Sequence, residues 1–149
     1  MSMRLWHAPV TQGIPPCPRA AHTSTVIGDR MYVFAGNDGQ KLFNDLYVLD
    51  LITWTWSQPS MTGCIPSPRA GHTANVVGEK IMVFGGGTSS GPVNDLFLLD
   101  TTTLYWQRLK VYGTPPSPRA GHTACVVFEN QLLVFGGGYL NKVFNDLHL

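Results

Sequence analysis

Charge is what this sequence has least of. Asp, Glu, Lys and Arg make up 13% of its 149 residues, about half the share of an ordinary globular domain. Ten Lys and Arg stand against nine Asp and Glu, and neither sign gathers into a block. The basic stripe that a nucleic-acid surface needs is therefore missing. Cysteine is scarce too: Cys17, Cys64 and Cys125 form an odd set with no C-x-x-C spacing. That argues against a disulfide framework and a cysteine zinc site, predicts no metal and no other cofactor, and points to a reducing compartment, cytoplasmic or nuclear. No apolar run approaches the length that crosses a membrane, and the opening Met-Ser-Met-Arg-Leu-Trp-His-Ala-Pro lacks a signal-peptide core. Nor does any window carry apolar residues at i, i+3, i+4 and i+7 over three turns, so helix is not expected.

What the chain does have is repetition. Pro18-Arg19-Ala20-Ala21-His22-Thr23 returns as Pro68-Arg69-Ala70-Gly71-His72-Thr73 and as Pro118-Arg119-Ala120-Gly121-His122-Thr123, each fifty residues after the last. Such a period marks an array of one structural unit. The sixteen Gly and eleven Pro fall at repeated places, as turns do and disordered tracts do not. In the middle unit, His72–Val77 reads as a β-branched strand turning at Gly78-Glu79. Ile81–Phe84 is a second apolar strand that ends in Gly85-Gly86-Gly87. Asn94–Asp100 and Tyr105–Leu109 follow as a third and a fourth. Tight turns join the first strand to the second and the third to the fourth. The unit is thus a four-stranded antiparallel meander, and radial repetition of such sheets makes a β-propeller.

The diglycine after an apolar strand, the Asn-Asp-Leu run and the Trp some twelve residues before the next Pro-Arg-x-x-His resemble the kelch repeat. The Pro-Arg-x-Gly-His-Thr variety is similar to that of leucine-zipper-like regulators, host-cell-factor-like proteins and Rab effectors. The resemblance implies an all-β, kelch-type propeller of four-stranded antiparallel blades, in a family used mainly to bind other proteins. Residues 1–17 read as the fourth strand of a preceding or closing blade plus a loop. Residues 18–67, 68–117 and 118–149 read as repeats one to three, the last cut short in its third strand. Three blades do not close a ring. The expectation is therefore a partial propeller, either continued by further repeats or forming half of a ring. In the second case two copies join head to tail, each donating Arg4–His7 to the other's final blade.

Residues that recur three times are first suspected of holding the unit together. His22, His72 and His122 recur without a carboxylate or Cys at ligand spacing, so a hydrogen-bonding role at the start of the first strand is expected rather than a metal. Arg19, Arg69 and Arg119 are expected to pair with a carboxylate of the next unit, the candidates being Asp45, Asp95 and Asp146. Trp6, Trp56 and Trp106 are read as blade-to-blade packing. Gly85-Gly86, with Gly136-Gly137, supplies positive φ and close approach, and Ala35-Gly36 in the first unit suggests a slightly relaxed approach there. No nucleophile elbow, zinc-protease helix or phosphate loop is present, so the chain is read as no enzyme. A metal-dependent enzyme domain and a purely structural assembly unit are the alternatives.

Function is expected where the copies differ. The second-to-third-strand loops carry Asp38 and Lys41, then Ser89, then Tyr139, Asn141 and Lys142. The Pro-rich connections Gln12–Pro18, Ser60–Pro68 and Tyr112–Pro118 are placed on the same side. Variable loops on a rigid scaffold are the usual binding apparatus. The expected partner is a protein, with no nucleic acid and no membrane.

Overall fold

The structure, a computed structural model, describes residues 5–149. Every regular element in it is a strand. The first blade contains β1 (Gln12–Gly13), β2 (Thr23–Ile27), β3 (Arg30–Asn37), β4 (Leu42–Asp50) and β5 (Thr55–Ser57), in sheet order β1-β5-β4-β3-β2. The second contains β6 (Thr62–Gly63), β7 (Thr73–Val77), β8 (Lys80–Phe84), β9 (Gly87–Thr88), β10 (Gly91–Pro92), β11 (Leu96–Asp100) and β12 (Tyr105–Arg108). Its main sheet runs β6-β12-β11-β8-β7, with β9 and β10 as a separate small hairpin. The third has β13 (Thr123–Val127), β14 (Gln131–Phe135), the hairpin β15 (Gly138–Tyr139) and β16 (Lys142–Val143), and β17 (Leu147–His148), in sheet order β13-β14-β17.

Two-residue turns join the first strands of the first two blades because Gly28 and Gly78 take positive φ (55° and 59°) at no steric cost. The third-to-fourth-strand turns are closed by Asp50 and Asp100. Asp50 Oδ1 accepts the N–H groups of Ile52 and Thr53, and Asp100 Oδ1 those of Thr102 and Thr103. Short polar side chains commonly bond the backbone in this way at turns.

The main sheets of the first two blades carry five strands rather than the expected four. The Pro-rich linkers do not simply cross one rim: Gln12–Gly13 pairs parallel with β5, and Thr62–Gly63 pairs parallel with β12. Each linker thus lays a fifth, outermost rung on the blade it leads into. Gly13 and Gly63 are required there, since a Cβ would stand 2.2 and 2.3 Å from the carbonyl oxygens of Trp56 and Trp106.

The core lies between the first two blades. Tyr32, Phe34, Leu46 and Val48 from one face Ile81, Val83, Leu99 and Trp106 from the other. The three equivalent tryptophans therefore differ. Trp106 is fully buried, with its ring centre 4.8 Å from that of Phe34 and its indole N–H donating to Met61 Sδ at 3.0 Å. Trp56 is half-buried, and Trp6 is 102% exposed. The expectation that all three are packing residues is corrected. This side chain packs on the preceding blade, and among the described residues only Trp106 has one. Leu5–Thr11 pairs with no strand among the described residues, and Arg4 lies outside them.

Candidate functional site

Each blade is joined to the next by the segment that carries its Pro-Arg-x-x-His-Thr motif. Arg69 N–H donates to the Phe43 carbonyl at 3.0 Å, while the Arg69 carbonyl accepts Gly36 N–H at 2.9 Å. Gly71 N–H donates to Ala21 O at 2.9 Å, and Gly121 N–H to Gly71 O at 2.8 Å, forming a backbone chain from blade to blade. His72 Nε2 and Thr23 Oγ1 share a hydrogen bond of 2.8 Å, and His122 Nε2 and Thr73 Oγ1 one of 2.9 Å. Each buried imidazole also stands edge-on to a Phe of the preceding blade, Phe34 or Phe84. The histidine bond is thus between blades. His22, with no described blade before it, is exposed and has no such partner among the described residues.

Burial, then the Arg69 charge, then the neighbouring His122 and His22 push the pKa of His72 down to about 3. Burial and the Arg119 charge bring His122 down to about 4. Both rings are therefore neutral at ordinary pH. Their Nδ1 atoms are buried without a hydrogen-bond partner, so a proton placed there gains nothing to offset its desolvation.

The arginines do not reach into the next unit, which corrects that expectation. Arg19 pairs with Asp45, Arg69 with Asp95 and Arg119 with Asp146, each within its own repeat and through two nitrogens. The same guanidiniums donate to the carbonyls of Ala35, Gly85 and Gly136. Arg69 and Arg119 are fully buried. The Arg119 bonds, followed by one from His148, hold the Asp146 carboxyl well below the usual carboxylate range. These forks tie the inner motif to the third strand and hold the diglycine bend.

That bend is no looser in the first blade. Ala35 is buried and sits at φ 59° although it carries a Cβ, while its counterpart Gly85 sits at φ 64°. The relaxed approach expected from Ala35 is absent; the left-handed backbone is kept with some strain. At Gly86, φ 98°, a Cβ would lie 2.9 Å from the His72 Cβ and 3.0 Å from the Ala70 carbonyl.

Since strand direction alternates within a blade, the loops after β3, β8 and β14 emerge on one rim. Asp38, Lys41, Ser89, Tyr139, Asn141 and Lys142 are all exposed there. They are not equally free. Asp38 Oδ1 accepts the N–H groups of Gln40 and Lys41, and these bonds lower its pKa. Tyr139 is 43% exposed, and its ring lies near Gly91 of the neighbouring hairpin. The two lysines share a feature that the sequence reading passed over. Lys41 Nζ sits 5.2 Å from the centre of the Phe43 ring, and Lys142 Nζ 5.3 Å from that of Phe144. Arg19 and Arg119 approach the same two rings at 4.4 Å. The sequence shows the ring positions, since Phe43 and Phe144 both precede Asn-Asp where the middle unit has Val93, but not the stacking of a lysine on them.

An all-β chain of repeated antiparallel blades, joined edge to edge through one recurring motif, belongs to the class of β-propeller repeat proteins, here as a partial propeller. The family model of the KLHDC2/KLHL20/DRC7 Kelch-repeats domain matches residues 1–149, and the chain belongs to the kelch-repeat family. It is 49% identical over 51 residues to the human "Kelch domain-containing protein 1", a stretch covering 34% of this chain and 13% of that protein. To the bovine "Kelch domain-containing protein 2" it is 44% identical over 50 residues, 34% of this chain and 12% of that one. To the Drosophila melanogaster "Host cell factor" it is 44% identical over 63 residues, 34% of this chain and 4% of the other. The matched stretches thus span only a small part of these relatives' lengths.

Proposed function

We propose that this chain is a protein-interaction module, a scaffold or a recruiting propeller, that takes its partner on the rim formed by the loops after β3, β8 and β14. The observation that carries this is the contrast between joints and rim. The hydrogen bonds of the joints repeat from blade to blade, whereas the three rim loops differ in sequence, and two of them hold a lysine out over an aromatic ring. A cation held in this way keeps its charge available and has lost part of its conformational freedom before binding. With Tyr139 paired to Lys142 across its hairpin, Lys41 and Lys142 fit an extended acidic segment of a protein. Three exposed, free cysteines suit a reducing compartment.

A random peptide library displayed on phage and panned on the purified chain should enrich acidic sequences. Changing Tyr139→Ala should weaken the recovered peptides by about 1–3 kcal/mol, and Lys142→Glu should weaken them more at low salt than at high salt. Neither change touches a joint, so circular dichroism should be unaltered. Peptides that bind both variants as well as the parent would remove this rim from the interface.

A further inference from the structure

Beyond the rim, the two outward faces of the array are complementary to one another. The last blade presents every receiving group of the joint already used twice inside the molecule. Phe135 is 51% exposed where Phe34 and Phe84 are buried beneath the next blade's histidine. Thr123 Oγ1, the counterpart of Thr23 and Thr73, has no hydrogen-bond partner among the described residues. The same holds for the carbonyls of Gly121 and Phe144 and the N–H of Gly137. The first blade presents every inserting group: His22 is exposed, and Arg19 N–H, Arg19 C=O and Ala21 N–H are unpaired among the described residues. Donor therefore meets acceptor at each position if the first blade of one copy follows the last blade of another.

A third element falls in line with this. The place that Trp106 fills between the first two blades is, between the second and third, a cleft of about 210 Å³ lined by Phe84, Val111, Leu132, Val134 and Leu149. Phe84 and Val111 stand one repeat after Phe34 and Met61, the partners of Trp106. Among the described residues no indole lines this cleft. Trp6 has the repeat position of Trp106, lies just before the inserting motif and is wholly exposed.

We propose that a second copy of this chain docks head to tail on the third blade, with His22 entering between Phe135 and Thr123 and Trp6 entering the cleft. The contact is heterologous: one copy gives its first blade and the other its last. With two such joints the pair closes on itself.

Sedimentation velocity of the purified chain should show a closed dimer. Phe135→Asp and His22→Ala alter exposed side chains, so circular dichroism should stay that of the parent while each variant associates about tenfold or more weakly. An equimolar mixture of the two variants should recover association, because one of its two joints then pairs an intact Phe135 with an intact His22. A face that paired with itself would show no such rescue. Trp6→Ala should weaken the dimer as well. A folded monomer at the highest soluble concentration would overturn the proposal. So would a dimer indifferent to Phe135→Asp and His22→Ala, or one that the mixture fails to restore.

Discussion

The joint between the first and second blades and the joint between the second and third share one polar design and differ in their apolar filling. In both, an Arg carbonyl accepts a glycine N–H at 2.9 Å, and a buried histidine bonds a threonine of the preceding blade. Trp106, however, closes the first joint with Phe34, Phe97 and Met61 around it, whereas the second is left with a cleft. The difference separates two tasks. Hydrogen bonds of fixed length set the spacing and rotation of the blades, because an unmade one is costly even though a made one contributes little net. Apolar area removed from water supplies the stabilisation, and it is unevenly distributed here.

The sharpest break in that comparison is Trp106→Ala, which should cost about 3–5 kcal/mol in urea unfolding. The equivalent change Trp56→Ala should cost far less, because that ring is only half-buried. Equal losses would show that the joint between the first two blades is not the main core. Arg69→Ala comes next. It leaves Asp95 without its partner beside a buried bend, and the loss should approach about 3 kcal/mol. Lys80→Ala, which breaks the half-exposed pair with Asp100, should cost under about 1 kcal/mol.

A smaller effect tests the strained bend. Ala35→Gly should stabilise the chain by about 1 kcal/mol or less, as relief of a left-handed alanine is partly offset by glycine's greater freedom in the unfolded chain. Gly86→Ala should do the reverse. Thermal melts of the two variants would separate these signs, and stabilisation by both would refute the contact assigned at Gly86.

The pH dependence probes the polar half of the joints. His72 and His122 have folded pKa values of about 3 and about 4, below the ordinary 6.5, so the unfolded chain takes up protons first. Their contribution is whole above pH 6.5 and is lost as pH falls from there towards those folded values. Asp100 and Asp146 also lie below their ordinary value of 3.8, but their share is lost only as pH falls below that. A double variant His72→Gln, His122→Gln should therefore flatten the melting-temperature curve between pH 6.5 and 4 and leave the steeper acid limb. An unchanged slope in the upper window would assign that window to other groups.

The strands, the turns at Gly28-Asp29 and Gly78-Glu79 and the recurring Arg and His motif were legible because each rests on local chemistry repeated at a fixed period. Positive φ asks for Gly, a pleated strand buried on both faces asks for Ile, Val and Phe, and a turn asks for Asp. The rim loops carrying Tyr139 and Lys142 were legible as well, from the places where the copies diverge. The added outer rungs at Gln12–Gly13 and Thr62–Gly63 were not, since two residues carry no periodicity. Nor was the Lys–Phe stacking, which depends on how a loop folds back over a ring.

Amino-acid order alone settled the repeat, the all-β class and the identity of the residues that build a joint, because these follow from neighbours along the chain. Tertiary structure decided which copy of each residue does that work. His72 and His122 are locked while His22 is bare, and Trp106 is buried while Trp6 stands in solvent. Identical residues in identical local surroundings diverge because burial is a property of what lies across the joint, and one repeat contains only half of it.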